Sequence, residues 1–549
     1  MMKKIFAVVM AACLVGLTAA GCGGSESKGA SSSSGVQETE PATAAVVTNL
    51  PKLDMSKWQY SEQDGFYYLL GVSYCEAPAD EKYEKLAVFV PSAYMDGTEN
   101  PDGTYTCKLN GSAKVGGYTA STAPIAMPVL TPSYYAADAI TEEQLPMLLN
   151  MPGGVRDFVA EGMVYVFPGC RGIDQGAPAG VTDLKAAVRY LRYCDDVIAG
   201  DAERIFAFGM SGGGAQAAIL GASGDSELYA PYLEKIGAVQ GVSDAVAGSM
   251  DWCPVVDLGT ANAEYEWMMG CTRTNLSQEQ KAISDALAAA YADYVNSAGF
   301  TDRDGNALTL EKSESGVYQA GSYYEYIKGV IERSLNNYLA DTEFSSEGRY
   351  NAYDSAQAYI DELNKDKKWI TYDKSANTAT ITSVEDFVKH CKQASGLDFA
   401  FDQPDSQNNL FGYGDGTKSH FDRMLADVFK KLNVEYAAEY EADLAKTDFA
   451  GNTVEQRVDM YSTLYYLMKN RGGYGKSNVA KYWRIRTGIE QNNTALTTEV
   501  NLALALENRD DVESVDFETV WAQGHTQAER EGDTESTANF IEWIKSCVG

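Results

Sequence analysis

A chain of 549 residues, 45% of them apolar, is long enough for one large domain with an insertion or for two to three domains, and it can bury a substantial core. Its formal net charge of −33 excludes docking on nucleic acid or anionic lipid by charge, because phosphate recognition needs clustered Lys and Arg. That acidity is compatible with neutral or small aromatic ligands and provides solubility by mutual repulsion.

The first segment reads as an export signal. Lys3 and Lys4 form a positive start, and residues 5–17 are apolar over a length short of the ~20 residues of a membrane span. Ala19-Ala20-Gly21-Cys22 follows and resembles the bacterial lipobox, so residues 1–22 are expected to be a lipoprotein signal with the lipid on Cys22. Residues 23–50, rich in Ser, Gly, Ala and Thr, cannot bury enough apolar surface to offset ordering entropy and are expected to form a disordered tether. The protein is thus expected outside the cytoplasm, on the membrane only through that anchor. Of the 10 Cys, Cys13 and Cys22 fall in the signal. The others are scattered without CxxC pairs, so no metal site is expected, and Cys253 with Cys271 is a candidate disulfide.

Residues 66–130 are strand-like, with 83–90 and 123–129 as candidate strands. From about residue 158 the chain alternates strand and helix: strand 163–167, helix 181–193, strand 204–208, helix 212–220, strand 245–251. This succession implies a parallel sheet covered on both faces. The rhythm stops at 260–475, where helical patterns (278–295, 323–339, 355–364, 420–429) carry many Tyr. It resumes with strand 480–486, helix 496–506, strand 514–521 and helix 537–546. The expected architecture is one α/β domain built from 51–259 and 476–549, with 260–475 as a mainly helical lid.

Gly209-Met210-Ser211-Gly212-Gly213 is a GxSxG motif directly after an apolar strand and directly before a helix. That context makes Ser211 a candidate nucleophile on a tight turn whose neighbours must lack bulk. The Gly212 N–H, at a helix N-terminus, can donate to a developing oxyanion. A second donor is expected in 131–135, at Tyr134, or at Pro152-Gly153-Gly154. The chain has 3 His. His390 and His420 lie in helical stretches of the insertion and read as packing or surface residues, whereas His525 follows the last strand, where the base of such a site belongs. The loop 487–494 should supply the acid. Its one carboxylate is Glu490; Asn493 could also hold the imidazole, without stabilising its charged form.

Several stretches together resemble the bacterial tannase (tannin acyl hydrolase) family, within the tannase and feruloyl esterase group. They are Gly176-Ala177-Pro178-Ala179-Gly180, the helix from Asp183 to Leu191, Gly200-Asp201-Ala202-Glu203-Arg204-Ile205, the Ser211 elbow, Cys253-Pro254 with Tyr265-Glu266-Trp267, Asn409-Leu410-Phe411-Gly412, and Tyr482-Trp483-Arg484-Ile485-Arg486. The resemblance implies an α/β-hydrolase fold with a lid inserted after the sixth strand, and hydrolysis of phenolic-acid esters by a Ser-His-Asp mechanism. It makes Ser211 the nucleophile and His525 the base, and it favours the loop of Tyr134 for the second oxyanion donor, with Ser133 where the family favours Gly. The family's acid loop carries Asp-x-Asp, one Asp in the triad and one on the substrate's phenolic hydroxyls; here Gln491 and Asn493 stand there. A lid Glu that helps hold the ring appears as Gln407, and Lys392 matches a lid Lys. A slip of one residue puts Glu490 in the acid's place, and that is the reading adopted at this point.

The function expected from these residues is a lipid-anchored serine esterase acting on a small-molecule acyl ester, with no cofactor and no nucleic-acid partner. Two alternatives stand beside it: a catalytically weak or silent ligand-binding lipoprotein that kept the fold, motivated by Gln491 and Asn493, and a serine peptidase of the same fold.

Overall fold

The computed structural model describes residues 45–274, 276–345, 353–392, 406–530 and 535–549. The expected signal, Cys22 and most of the expected tether therefore lie outside the described residues. Among the described residues no helix is long and apolar enough to cross a membrane.

The strands β1 (Gln59–Ser61), β2 (Phe66–Ser73), β3 (Lys85–Pro91), β4 (Ile125–Val129), β5 (Val164–Pro168), β6 (Ile205–Met210), β7 (Gly248–Trp252), β8 (Tyr482–Gly488) and β9 (Ser514–Val520) form a 9-stranded sheet in the order β1-β2-β3-β5-β4-β6-β7-β8-β9. The first three strands and the β3–β5 pair are antiparallel; every other pairing is parallel. This is an α/β-hydrolase sheet. Its central parallel strands are buried on both faces, which is why 164–168 and 205–209 read as continuous apolar runs.

Residue size along β6 sets what covers each face. Phe206 and Phe208 point to one side and meet the C-terminal helix Ser536–Val548, with Phe208 4.9 Å from Phe540 and Phe206 5.7 Å from Trp543 between ring centroids. Ala207 and Gly209 alternate with them and face the helix Gly212–Ala222. That helix is buried along its whole length, and its Gly and Ala composition lets it sit close to the sheet: a Cβ on Gly221 would fall 2.9 Å from the Trp483 ring.

The insertion leaves the sheet after β7 and returns at β8. The sheet has an N-terminal edge strand at 59–61, so the insertion follows the seventh strand here rather than the sixth. Its long helices are Leu258–Met269, Gln278–Ala298 and Ser322–Asp341. The second begins with a capping box, Ser277 and Gln280 each satisfying the other's backbone N–H, and ends at Gly299 with φ 74°. The lid is not purely helical, for strands Ile370–Asp373 and Thr378–Ile381 form a hairpin. It packs on Ser322–Asp341, where the Asn336 amide accepts from Ala379 N (2.6 Å) and donates to Ala379 O (3.1 Å).

Polar groups fasten lid to core. Glu264 of the lid accepts from Thr497 and Thr498 Oγ1, both at 2.8 Å. The buried Arg457 guanidinium donates to the carbonyls of Ala177 (3.0 Å), Gly412 (2.7 Å) and Phe411 (2.6 Å). The candidate disulfide is not formed: Cys253 is buried, Cys271 is exposed, and both are free. Cys253 Sγ instead faces the carbonyl of Thr526 at 3.2 Å.

Arg457→Met removes the donors from those carbonyls. The expected cost is ~3 kcal/mol, read as a lower urea midpoint at unchanged slope. An unchanged midpoint would show that Arg457 does not help to hold the lid.

Candidate active site

Ser211 closes β6 and caps the helix Gly212–Ala222, with φ 61° and ψ −122°. A residue with a side chain enters this region at a cost of about 1–3 kcal/mol, so its surroundings must impose it. They do so by hydrogen bonds and by close approach. Ser211 N donates to Trp252 O (2.9 Å), and Ala215 N donates to Ser211 O (2.9 Å). A Cβ on Gly209 would lie 2.5 Å from the carbonyl carbon of Gly213, and one on Gly213 would lie 2.1 Å from Val129 O. The turn admits only glycine on both sides of the serine.

The Gly212 amide opens the helix beside the loop after β4. A Cβ on Gly212 would sit 2.5 Å from Tyr134 N and 3.2 Å from Ser133 N. Tyr134 itself is committed: its N–H donates to Thr131 O at 2.9 Å, and its buried hydroxyl donates to Val255 O. The expectation of Tyr134 as second oxyanion donor does not fit its bond to Thr131 O, and the amide left beside Gly212 is that of Ser133, on a backbone at φ 51°. Pro152-Gly153-Gly154 lies elsewhere, packed against Thr537 on the C-terminal helix, 2.0 Å from a Cβ built on Gly153.

His525 sits on the loop after β9. Its elements are pinned to β8: the Glu490 N–H donates to Gln523 O (3.0 Å), and Gly488 has no room for a Cβ, with Gly524 O 2.0 Å away. Beyond the histidine, Glu529 receives both ends of the Arg484 guanidinium at 2.7 and 2.8 Å and the Trp252 indole N–H at 3.2 Å. The segment 252–255 links the two halves of the site. Its Trp252 carbonyl holds Ser211, and its Cys253 thiol touches the His525 loop. Among the described residues no hydrogen bond joins Ser211 Oγ to the imidazole, a contact that commonly tightens only when substrate is bound.

The imidazole's partner is Gln491, not Glu490. Gln491 Oε1 lies 2.6 Å from His525 Nδ1. Gln491 Nε2 lies 2.7 Å from Thr487 Oγ1, 2.9 Å from Thr494 Oγ1 and 2.6 Å from Glu499 Oε1. The Glu499 carboxylate can only accept and both hydroxyls have lone pairs free to accept, so the nitrogen faces them, the amide oxygen faces the ring, and it accepts from Nδ1–H. Nε2 of His525 is then left with its lone pair, the form a general base needs. Glu490 leaves the imidazole because the turn closed by Gln491 N to Gly488 O (3.1 Å) directs residue 490 toward Tyr359 and Cys391. Burial there pushes its carboxyl up to about 7.

Of the expected substrate-binding residues, Gln491 and Lys392 both bond to Thr494, the first to its hydroxyl and the second to its carbonyl. Asn493 is exposed, and Gln407 lies in the short helix Ser406–Leu410, its carbonyl accepting from Phe411 N at 3.2 Å. Lys392 is buried behind the acid loop and donates to Thr494 O at 3.3 Å; burial drives its ammonium down to about 8. Glu499 was not singled out in the sequence, although it is the one acid in the apolar helix Leu496–Glu507 before that helix's last residue. Among the described residues no group of His, Cys, Asp and Glu could hold a metal ion. A cavity of about 440 Å³ lies on the far side of the His525 loop, lined by Trp521, Gln523, Gly524, Tyr338 and Arg530; neither Ser211 nor His525 lines it.

A family model described as BD-FAE matches residues 150–302, which include the Ser211 elbow. No curated protein matches the sequence. Among solved structures, the tannin acyl hydrolase of Lactobacillus plantarum matches with a TM-score of 0.67 at 25% identity, over 91% of this chain and 99% of that one. The Fusobacterium nucleatum tannase matches with a TM-score of 0.66 at 26% identity, over 88% and 95%. A tannin acyl hydrolase in complex with 3,4-dihydroxybenzoate matches with a TM-score of 0.66 at 26% identity, over 88% and 94%.

Two substitutions test this geometry. Gly213→Ala would drive a methyl into Val129 O and is expected to abolish ester turnover. Arg484→Met leaves the Glu529 carboxylate buried without its partner, at an expected cost of about 3–5 kcal/mol, read by urea denaturation. A Gly213→Ala protein with full turnover would contradict the elbow.

Proposed function

From its place among the tannase- and feruloyl-esterase-like α/β-hydrolases, which are ester-hydrolysing enzymes, we propose that this chain is a serine esterase for phenolic-acid esters. The observation that carries the reading is the strained Ser211 turn, joined through residues 252–255 to the loop of an imidazole whose Nδ1–H is held by Gln491. Ser211 Oγ attacks the acyl carbonyl and His525 Nε2 takes its proton. The Gly212 and Ser133 amides receive the oxyanion, and the proton passes to the leaving alcohol. Water then attacks the acyl-enzyme with His525 again as base.

The acyl group follows from the site's amides. A related tannin acyl hydrolase is described with 3,4-dihydroxybenzoate and another structure with ethyl gallate. With Asn493 and Gln407 in place of carboxylates, this chain has weaker acceptors for a ring rich in free hydroxyls. A phenolic acyl group with fewer of them, such as feruloyl or a monohydroxybenzoyl, is the proposed substrate. An export signal with lipid on Cys22 would place this activity at the outer face of a bacterial membrane. The amide beside His525 also favours a second reading, a silent binding lipoprotein.

A panel of galloyl, feruloyl, monohydroxybenzoyl and short aliphatic esters separates these readings. Feruloyl or monohydroxybenzoyl esters are expected to be turned over best, with Ser211→Ala at least about a thousandfold slower. No turnover of any ester by the wild type would favour the binding protein.

Burial of His525 holds its imidazole below the ordinary value of about 6.5. The base works when neutral, so kcat/KM should fall as pH drops through a midpoint below 6.5. The folded state binds fewer protons at this site than the unfolded one, so the stability it contributes is present above about 6.5 and lost as pH falls through the folded value. A kcat/KM that does not fall at any pH below 6.5 would contradict this assignment.

A further inference from the structure

Resting on the esterase reading, we propose that Glu499 is a positioning residue that acts on His525 through Gln491, so that the carboxylate of a Ser-His-acid site stands one side chain further back.

The geometry is a continuous line. Glu499 Oε1 accepts from Gln491 Nε2 (2.6 Å), and Gln491 Oε1 meets His525 Nδ1 (2.6 Å). Thr494 Oγ1 also donates to Glu499 Oε1 (2.6 Å), and Thr487 Oγ1 lies 3.3 Å from it. Every group around that oxygen is a donor, as an anion requires. All four side chains other than the imidazole are buried, in a medium where hydrogen bonds polarise one another. A carboxylate drawing on the amide N–H makes the amide oxygen a stronger acceptor. The imidazolium formed during acyl transfer is thereby stabilised by a charge it does not touch.

The charged and titratable groups around Glu499 come from three elements: Lys392 at the end of helix Val384–Cys391, Glu264 and Tyr265 from helix Leu258–Met269, and Cys253 after β7. Burial raises the Glu499 carboxyl to about 7, opposed by the Thr494 hydroxyl and the Lys392 ammonium. Glu499 Oε2 makes no hydrogen bond. A proton taken up there leaves Oε1 an acceptor, so the orientation of Gln491 survives titration while the anionic contribution is lost as pH falls through about 7.

The test uses Glu499→Gln, which keeps the acceptor shape and removes the charge, and the exchange Gln491→Glu/Glu499→Gln, which puts the carboxylate on the ring. The imidazole of His525 is titrated by 15N NMR on protein labelled at its 3 histidines, assigned with His525→Ala. Glu499→Gln is expected to lower the His525 pKa and to reduce kcat roughly tenfold at unchanged KM, as when a hydrogen bond to a charged group becomes one to a neutral group. The exchange is expected to raise both above wild type, and a lowered His525 pKa in Glu499→Gln is what a purely structural role for Glu499 would not produce. An unchanged His525 pKa in folded Glu499→Gln overturns the proposal. If that variant does not fold, a His525 pKa in the exchange variant no higher than wild type overturns it. The titration needs no substrate, so it stands apart from the esterase reading, which wild-type ester turnover decides.

Discussion

The backbone of Ser211 is the constraint on which this molecule is organised. A serine at φ 61° and ψ −122° has to be held there, and the parts that hold it come from well-separated stretches of chain. Trp252 O anchors its N–H, Val129 O forbids a side chain at 213, and the loop at 131–134 closes over Gly212. The same crowding that strains the serine exposes its hydroxyl and leaves two amides beside it. Strain and oxyanion geometry are one feature with two consequences.

The second half of the site is built on charge rather than on crowding. The His525 loop is tied down by the buried Arg484–Glu529 pair, which is expensive to desolvate and more expensive to break. The ring is then oriented by an amide whose rotamer is fixed by the acceptors behind it. An amide sets the tautomer as well as a carboxylate does, but it brings no charge of its own. On the proposed reading, activity depends on what stands behind Gln491, where the helix carrying Glu499 and the lid carrying Lys392 converge.

The sheet and its helices were legible because parallel strands buried on both faces must be apolar runs, and because Phe and Ala alternate on β6 to fit a large and a small neighbour. Ser211 and His525 were singled out from their positions after strands, and the structure places Ser211 on the turn after β6 and His525 on the loop after β9. The acid position was not. Glu490 and Gln491 are adjacent, and only the turn at Gly488 decides which of them meets the ring. Tyr134 was chosen over Ser133 for the same reason: sequence names the loop, while the hydrogen bond to Thr131 O decides which amide is left. Glu499 looked like an ordinary helical acid, since its burial depends on lid residues more than a hundred positions earlier in the chain. Its isolation in an apolar helix was the one available signal.

The central claim is that Ser211 is a nucleophile activated by His525. Intact-mass spectrometry after treatment with a fluorophosphonate, followed by peptide mapping, tests it most directly. A single adduct on Ser211 in the wild type, absent in Ser211→Ala and strongly slowed in folded His525→Ala, is the result expected. A wild-type protein that takes up no adduct, or takes it up equally well without His525, would contradict the account.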